Sequence, residues 1–188
     1  MTTRHEAPPA AREPGMVDVQ RVASRVVGEV LQGRNLDRVL ESALAKETTL
    51  LPGERAAVHA ISFSTLRHLG LLSTQLEHLL STPLNDAPVR HLLLVALSQL
   101  QFSKAAPHTI VDQAVDATRA LGFARARGLV NAVLRNYLRD PAKFAREQFR
   151  SELARFDFPR WWVERLHAEL GVRAPAVLES AHAQPPMW

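Results

Sequence analysis

Apolar residues recur at three- and four-residue steps along most of the chain, the period of helices with one buried face. Val19, Val22, Ala23, Val26 and Val30 form the first stripe, which ends near Gly33. Asn35 offers an N-cap for a second helix carrying Leu36, Val39, Leu40, Ala43 and Leu44. Pro52-Gly53 opens a third region through Val58, Ile61, Thr65, Leu66 and Leu69, and Gly70 is expected to bend or break it before Leu72, Leu76, Leu79 and Leu80. Asn85 or Asp86 caps a fourth helix in which Leu92 to Leu97 are apolar without interruption, so it should be the central, buried one. Pro107 suits the first position of a fifth helix and Gly122 the position just past its end. A sixth runs from about Arg125 to Arg139 and is stopped by Asp140-Pro141. No segment keeps the alternation of a strand. The pattern predicts an all-α bundle.

The final third reads differently. Phe144, Phe149 and Leu153 suggest a charged helix with a thin apolar edge, and Phe156-Asp157-Phe158-Pro159 a break. Trp161, Trp162, Leu166 and Leu170 then form a short helix ending at Gly171, which the two tryptophans should anchor. Its aromatics are expected to be only partly covered. Residues beyond about Arg173 should be loosely held, exposing apolar surface that favours self-association. The Pro185-Pro186-Met187-Trp188 ending offers neither cap nor polar tail, so the chain reads as cut. The expected organisation is a disordered lead over 1–16, a helical domain over 17–140 and a helical linking region over 141–188.

Composition narrows the chemistry. The 188 residues contain no cysteine, which removes disulfides, zinc–thiolate sites, iron–sulfur clusters and thiolate nucleophiles. The longest apolar run, Leu92 to Leu97, is far short of a membrane span, and the Pro-containing lead is no signal peptide, so the protein is expected in the cytoplasm. The glycines are too scattered for a phosphate-cradling loop, and no two histidines stand at a helical metal-binding spacing. Asp112 and Asp116 share a helix face, but acid–base work by such a pair needs opposed environments that nothing here supplies. No catalytic residue and no metal site is expected.

Charge points elsewhere. The chain carries a net +4, and Arg119 to Arg155 alone hold nine basic against three acidic residues, a surplus of six that leaves the remainder at minus two. A basic segment on a near-neutral chain suggests a surface facing a polyanion. Within it Arg127, Asn131, Arg135 and Arg139 recur at four-residue steps, forming one polar ridge, with Leu129, Val130, Val133, Leu134 and Tyr137 expected on the core side. Three guanidiniums and an amide in a row suit backbone phosphates. A solvated basic face with Asn131 bonded to a loop carbonyl is the competing reading. Arg21 and Arg25 repeat the motif more weakly on the first helix, with Arg34 beyond its end, while Arg90 is expected off this face.

The string Pro107-His108-Thr109-Ile110-Val111-Asp112-Gln113-Ala114-Val115, followed by Leu129-Val130-Asn131-Ala132-Val133-Leu134-Arg135, resembles the NusB-type RNA-binding fold. Ser64-Thr65-Leu66-Arg67, Ser98-Gln99-Leu100, Phe158-Pro159-Arg160-Trp161-Trp162 and the Pro-Pro-Met ending make it most similar to the N-terminal region of RsmB (Sun) type 16S rRNA cytosine-C5 methyltransferases. Ser64 departs from the family's usual glycine. The resemblance implies an RNA-binding, substrate-recognition part that contacts 16S rRNA and precedes a catalytic domain. That domain would hold S-adenosylmethionine and a cysteine nucleophile, both foreign to these residues, so no cofactor and no methyl transfer are expected here. The other reading is a stand-alone NusB-type transcription antitermination factor, which binds RNA and a small-subunit ribosomal protein. Such factors end soon after the sixth helix and tend to be acidic where this chain has Arg135.

Overall fold

The computed structural model describes residues 15–147, of which 145–147 by backbone alone, together with 155–158 and 160–181. Its helices are α1 (Met16–Leu31), α2 (Leu36–Lys46), α3 (Pro52–Arg67), α4 (Leu69–Leu79), α5 (Ala87–Phe102), α6 (Pro107–Ala120), α7 (Arg127–Arg139), α8 (Pro141–Glu147), α9 (Arg160–Leu170) and α10 (Ala174–Ser180). No strand occurs among the described residues, and no described helix is long and apolar enough to cross a membrane.

Most boundaries follow local chemistry. Asn35 caps α2 by accepting the Arg38 N–H at 3.1 Å. Pro107 opens α6, and Gly122 follows its end at φ +86, a conformation that glycine adopts without strain. Asp140 ends α7 and starts α8 at once, its carboxylate accepting the Lys143 N–H at 3.0 Å. The expected break at Gly70 lies two residues earlier. His68 joins α3 to α4, and Gly70 is buried in the first turn of α4.

The core is built on both sides of α5. Val95 joins Val19, Val26, Leu40 and Val58 of α1–α3, while Leu93, Leu94 and Leu97 join Leu72, Leu76, Ile110, Val133 and Leu134 of α4, α6 and α7. This double role is why its sequence shows no polar side. Two polar ties fix the packing. Gln20 donates to Gln99 at 2.7 Å and to the Ile110 carbonyl at 3.3 Å, joining α1, α5 and α6. Ser64, the departure from the usual glycine, meets the Ser98 hydroxyl at 3.0 Å between α3 and α5. Gly28 lets α1 approach α5 closely, since a Cβ there would stand 2.5 Å from the His91 ring.

The core does not stop at Asp140. Phe144 on α8 is buried in it, its ring 5.5 Å from that of Tyr137. Beyond, Phe156, Val163 and Leu178 form a small separate cluster. Val163 anchors α9 in place of the expected tryptophans, and Trp161 remains 64% exposed. Of the stretch after Arg173, expected to be loosely held, Ala174–Ser180 form α10, which buries Leu178. Phe149, Leu153, the 185–188 ending and the lead before Gly15 lie outside the described residues.

Candidate nucleic-acid interface

Four-residue steps on an α-helix overshoot a full turn by about 40° each, so a ridge of four such residues winds about a third of the way round. The structure shows the consequence. Arg127, at the start of α7, turns toward α6, where its guanidinium stands 3.7 Å from Asp116. Asn131, Arg135 and Arg139 instead line a cleft of about 570 Å³ between α7 and the loop leaving α4. The opposite wall is Leu79 to Leu84, with Ser81 and Thr82 contributing hydroxyls and Pro83 and Leu84 apolar surface. Leu129 and Val133 add apolar surface from α7. Leu129 was expected in the core; it is 39% exposed and faces this cleft, because the ridge's winding carries the helix face across it.

The polar lining is rich in donors. Arg135 donates its Nε–H to Asn131 Oδ1 at 2.8 Å, which takes one lone pair of the amide oxygen and leaves the terminal nitrogens of the guanidinium without a hydrogen bond among the described residues. Among the described residues Asn131 makes no hydrogen bond to a loop carbonyl. Arg135 and Arg139 have no ion-pair partner among the described residues, and Asn136 joins them in the cleft. Among the described residues no carboxylate lines it.

The residues of α1 stand apart from this group. Arg21 is only 11% exposed and fully engaged: Glu47 takes it through two hydrogen bonds of 2.8 and 2.7 Å, and Asp18 through one of 3.0 Å. Arg21 therefore ties α1 to the end of α2. Periodicity had shown its face and not its distant partner. The hydrogen bonds that Arg21 donates hold the Glu47 carboxyl below its ordinary value of 4.5, and their acceptance by Glu47 raises the Arg21 guanidinium. A carboxylate with a lowered pKa stabilises the fold above its unfolded value and loses that contribution as the pH falls through its folded one. Arg21→Ala should accordingly cost about 1–3 kcal/mol by stranding Glu47, read as a lower denaturation midpoint, and the loss should shrink as Glu47 protonates in acid. RNA affinity at native conditions should not change.

Arg25 is exposed and lines a smaller cleft of about 230 Å³ with Gly28, Glu29, His91 and Leu121. Glu29 pairs with the exposed Arg34 at 2.6 Å, so a carboxylate already serves the cations of that region. Burial and the neighbouring Arg90 lower the pKa of His91. Arg90 itself pairs with Glu77 at 3.4 Å and lines a hollow on the far side of the Leu80–Leu84 loop. It thus borders the ridge's own wall, contrary to expectation, and Arg38 on the exposed side of α2 is the better reference charge. Sequence reasoning missed Asn136, Ser81 and Thr82. The first adjoins Arg135 in the chain, and the others sit in a Thr-Pro turn that read only as a closure. Among the described residues no group of three or more His, Asp or Glu could hold a metal.

The NusB family profile matches residues 17–139, about two-thirds of the chain. The chain belongs to the NusB family. The NusB match spans α1 to α7 and so contains the whole cleft. Relatives include the ribosomal RNA small subunit methyltransferase B of Xylella fastidiosa strain Temecula1, 35% identical over 170 residues, which cover 89% of this chain and 37% of the relative. The protein of the same name from Xanthomonas campestris pv. campestris is 34% identical over 169 residues, covering 88% and 37%. That from Serratia proteamaculans is 26% identical over 174 residues, covering 91% and 40%. This NusB-family chain thus spans about two-fifths of the length of the curated relatives it matches.

Proposed function

We propose that the chain binds RNA through the α7 cleft, as the substrate-recognition part of a 16S rRNA cytosine-C5 methyltransferase acting in the cytoplasm. The observation that carries this reading is a cleft that holds, among the described residues, two guanidiniums without an ion-pair partner, two side-chain amides, two hydroxyls and no carboxylate. Phosphate oxygens only accept hydrogen bonds, and the guanidinium fork is the side chain best shaped to donate to them. The apolar surface of Pro83, Leu84 and Leu129 gives an unstacked base something to pack on. The name shared by the relatives supports ribosomal RNA as the target.

Methyl transfer would belong to a part of the protein outside these residues. The sequence has no cysteine, and among the described residues the α7 cleft has no carboxylate to receive the amine and ribose hydroxyls of S-adenosylmethionine, so that lining does not fit the cofactor. Calorimetric titration of the chain with S-adenosylmethionine should show no specific heat; a saturable isotherm would contradict this. RNA binding is tested with a fluorescein-labelled, mixed-sequence single-stranded RNA over a salt series. Two phosphate contacts at about 0.7 each should give a log–log slope near −1.4. A slope near zero, or no binding at low salt, would overturn the reading.

A further inference from the structure

We propose that Asp157 is a positioning residue for the RNA cleft, latching the N-terminus of α4 so that the far end of that helix holds the cleft wall. The proposal rests on the RNA reading above for its function and on independent contacts for its geometry. Helix α4 begins directly after α3, and its own N-cap residue, His68, gives no side-chain hydrogen bond to the first turn. The missing acceptor comes from 86 residues downstream: Asp157 Oδ1 accepts the Leu71 N–H at 2.7 Å. Its other oxygen, Oδ2, lies 3.1 Å from His68 Nδ1, and the His68 ring stacks on Phe102 at 4.1 Å. The carboxylate is only 5% exposed. Asp157 adopts φ +53, a conformation uncommon outside glycine, which the flanking structure must impose. An anion at this position also answers the partial positive charge of the helix start.

A second downstream element, α8, also grips α4. Gln75, buried in mid-helix, donates to the Phe144 carbonyl at 3.2 Å and exchanges hydrogen bonds with Gln101, the shorter at 2.7 Å. Helix α4 is thus fixed at its start by Asp157 and at its middle by α8 and α5, while its last residue, Leu79, and the following Leu80 form part of the cleft. An 11-residue helix is about 16 Å of stiff rod. Movement at its N-terminus therefore reaches the Leu80–Leu84 wall. The residues on either side of Asp157 lead into the Phe156–Val163–Leu178 cluster, so the latch also ties the orientation of that unit to the shape of the cleft.

The test compares Asp157→Ala with Asp157→Asn in the full chain, since asparagine keeps an acceptor for the Leu71 N–H and alanine does not. Hydrogen exchange is measured without RNA at Leu71 and at Ser81, Thr82 and Leu84. Asp157→Ala should speed exchange at Leu71 roughly fivefold, as loss of a helix cap does, and should also speed it at the loop amides. Affinity for the fluorescein-labelled single-stranded RNA should fall roughly threefold with the salt slope unchanged, because no phosphate contact is removed. Asp157→Asn should restore most of both effects. Unchanged exchange at Leu71 or at the loop amides overturns the latch, whether or not RNA binds. Faster loop exchange with unaltered RNA affinity overturns the positioning role. Failure of the unsubstituted chain to bind RNA refutes the RNA reading, while the loop amides still decide the latch.

Discussion

Arg135→Glu should weaken RNA binding by at least tenfold, the largest effect of any single substitution in the ridge. The residue stands in a cleft without a carboxylate, and its Nε is already held by Asn131, so the guanidinium is oriented before RNA arrives. Removing it as Arg135→Ala takes away one charge-assisted contact, lowering the salt slope by about 0.7 and affinity on the order of tenfold. The glutamate adds repulsion of the phosphate at the same place. Arg38→Ala removes one positive charge from the exposed side of α2 and should leave the slope almost unchanged. Equal losses for Arg38→Ala and Arg135→Ala would mean that net charge, and no particular site, drives binding. Asn131→Ala should fall between them: the ridge keeps its charge, but Arg135 loses the bond that fixes its direction.

The second large effect is on stability. Leu93 is fully buried on α5, where it joins the cluster shared by α4, α6 and α7. Leu93→Ala should cost about 3 kcal/mol through lost burial and an unfilled cavity, a substantial share of the 5–15 kcal/mol typical of a domain. The denaturant midpoint should fall with the slope of the transition unchanged. A loss under about 1 kcal/mol would show that the core relaxes around the cavity, contradicting the picture of α5 as a rigid centre. Because α4 and α7 both pack on this helix, RNA affinity should also drop, with the salt slope preserved.

The helices were legible in the sequence because burial on one face imposes a period that no other element shares. The uninterrupted apolar run of α5 identified the central helix for the same reason. The failures share a cause too. Periodicity reports which face a residue occupies and nothing of what distant residue meets it. Arg21 and Arg25 looked equivalent at four-residue spacing, yet Glu47 claims the first and leaves the second exposed. Leu129 carried the apolar signature of a core residue, but its side of α7 borders a loop that stands off to form a cleft. Asp157 read as part of a break. Its work as a remote cap on α4 depends on a contact across 86 residues. Asn131, Arg135 and Arg139 could be singled out because they share one helix, whereas Ser81 and Thr82 could not, since only the fold brings that turn against them.

A heteronuclear NMR titration of the chain with single-stranded RNA tests the central claim most directly. The account predicts that the first and largest shifts fall on Ser81, Thr82, the side-chain amides of Asn131 and Asn136, and the guanidinium signals of Arg135 and Arg139. The Arg21 signal, locked to Glu47, should stay in place. Shifts confined to the α1–α5 cleft around Arg25 and His91, with the α7 cleft silent, would contradict it.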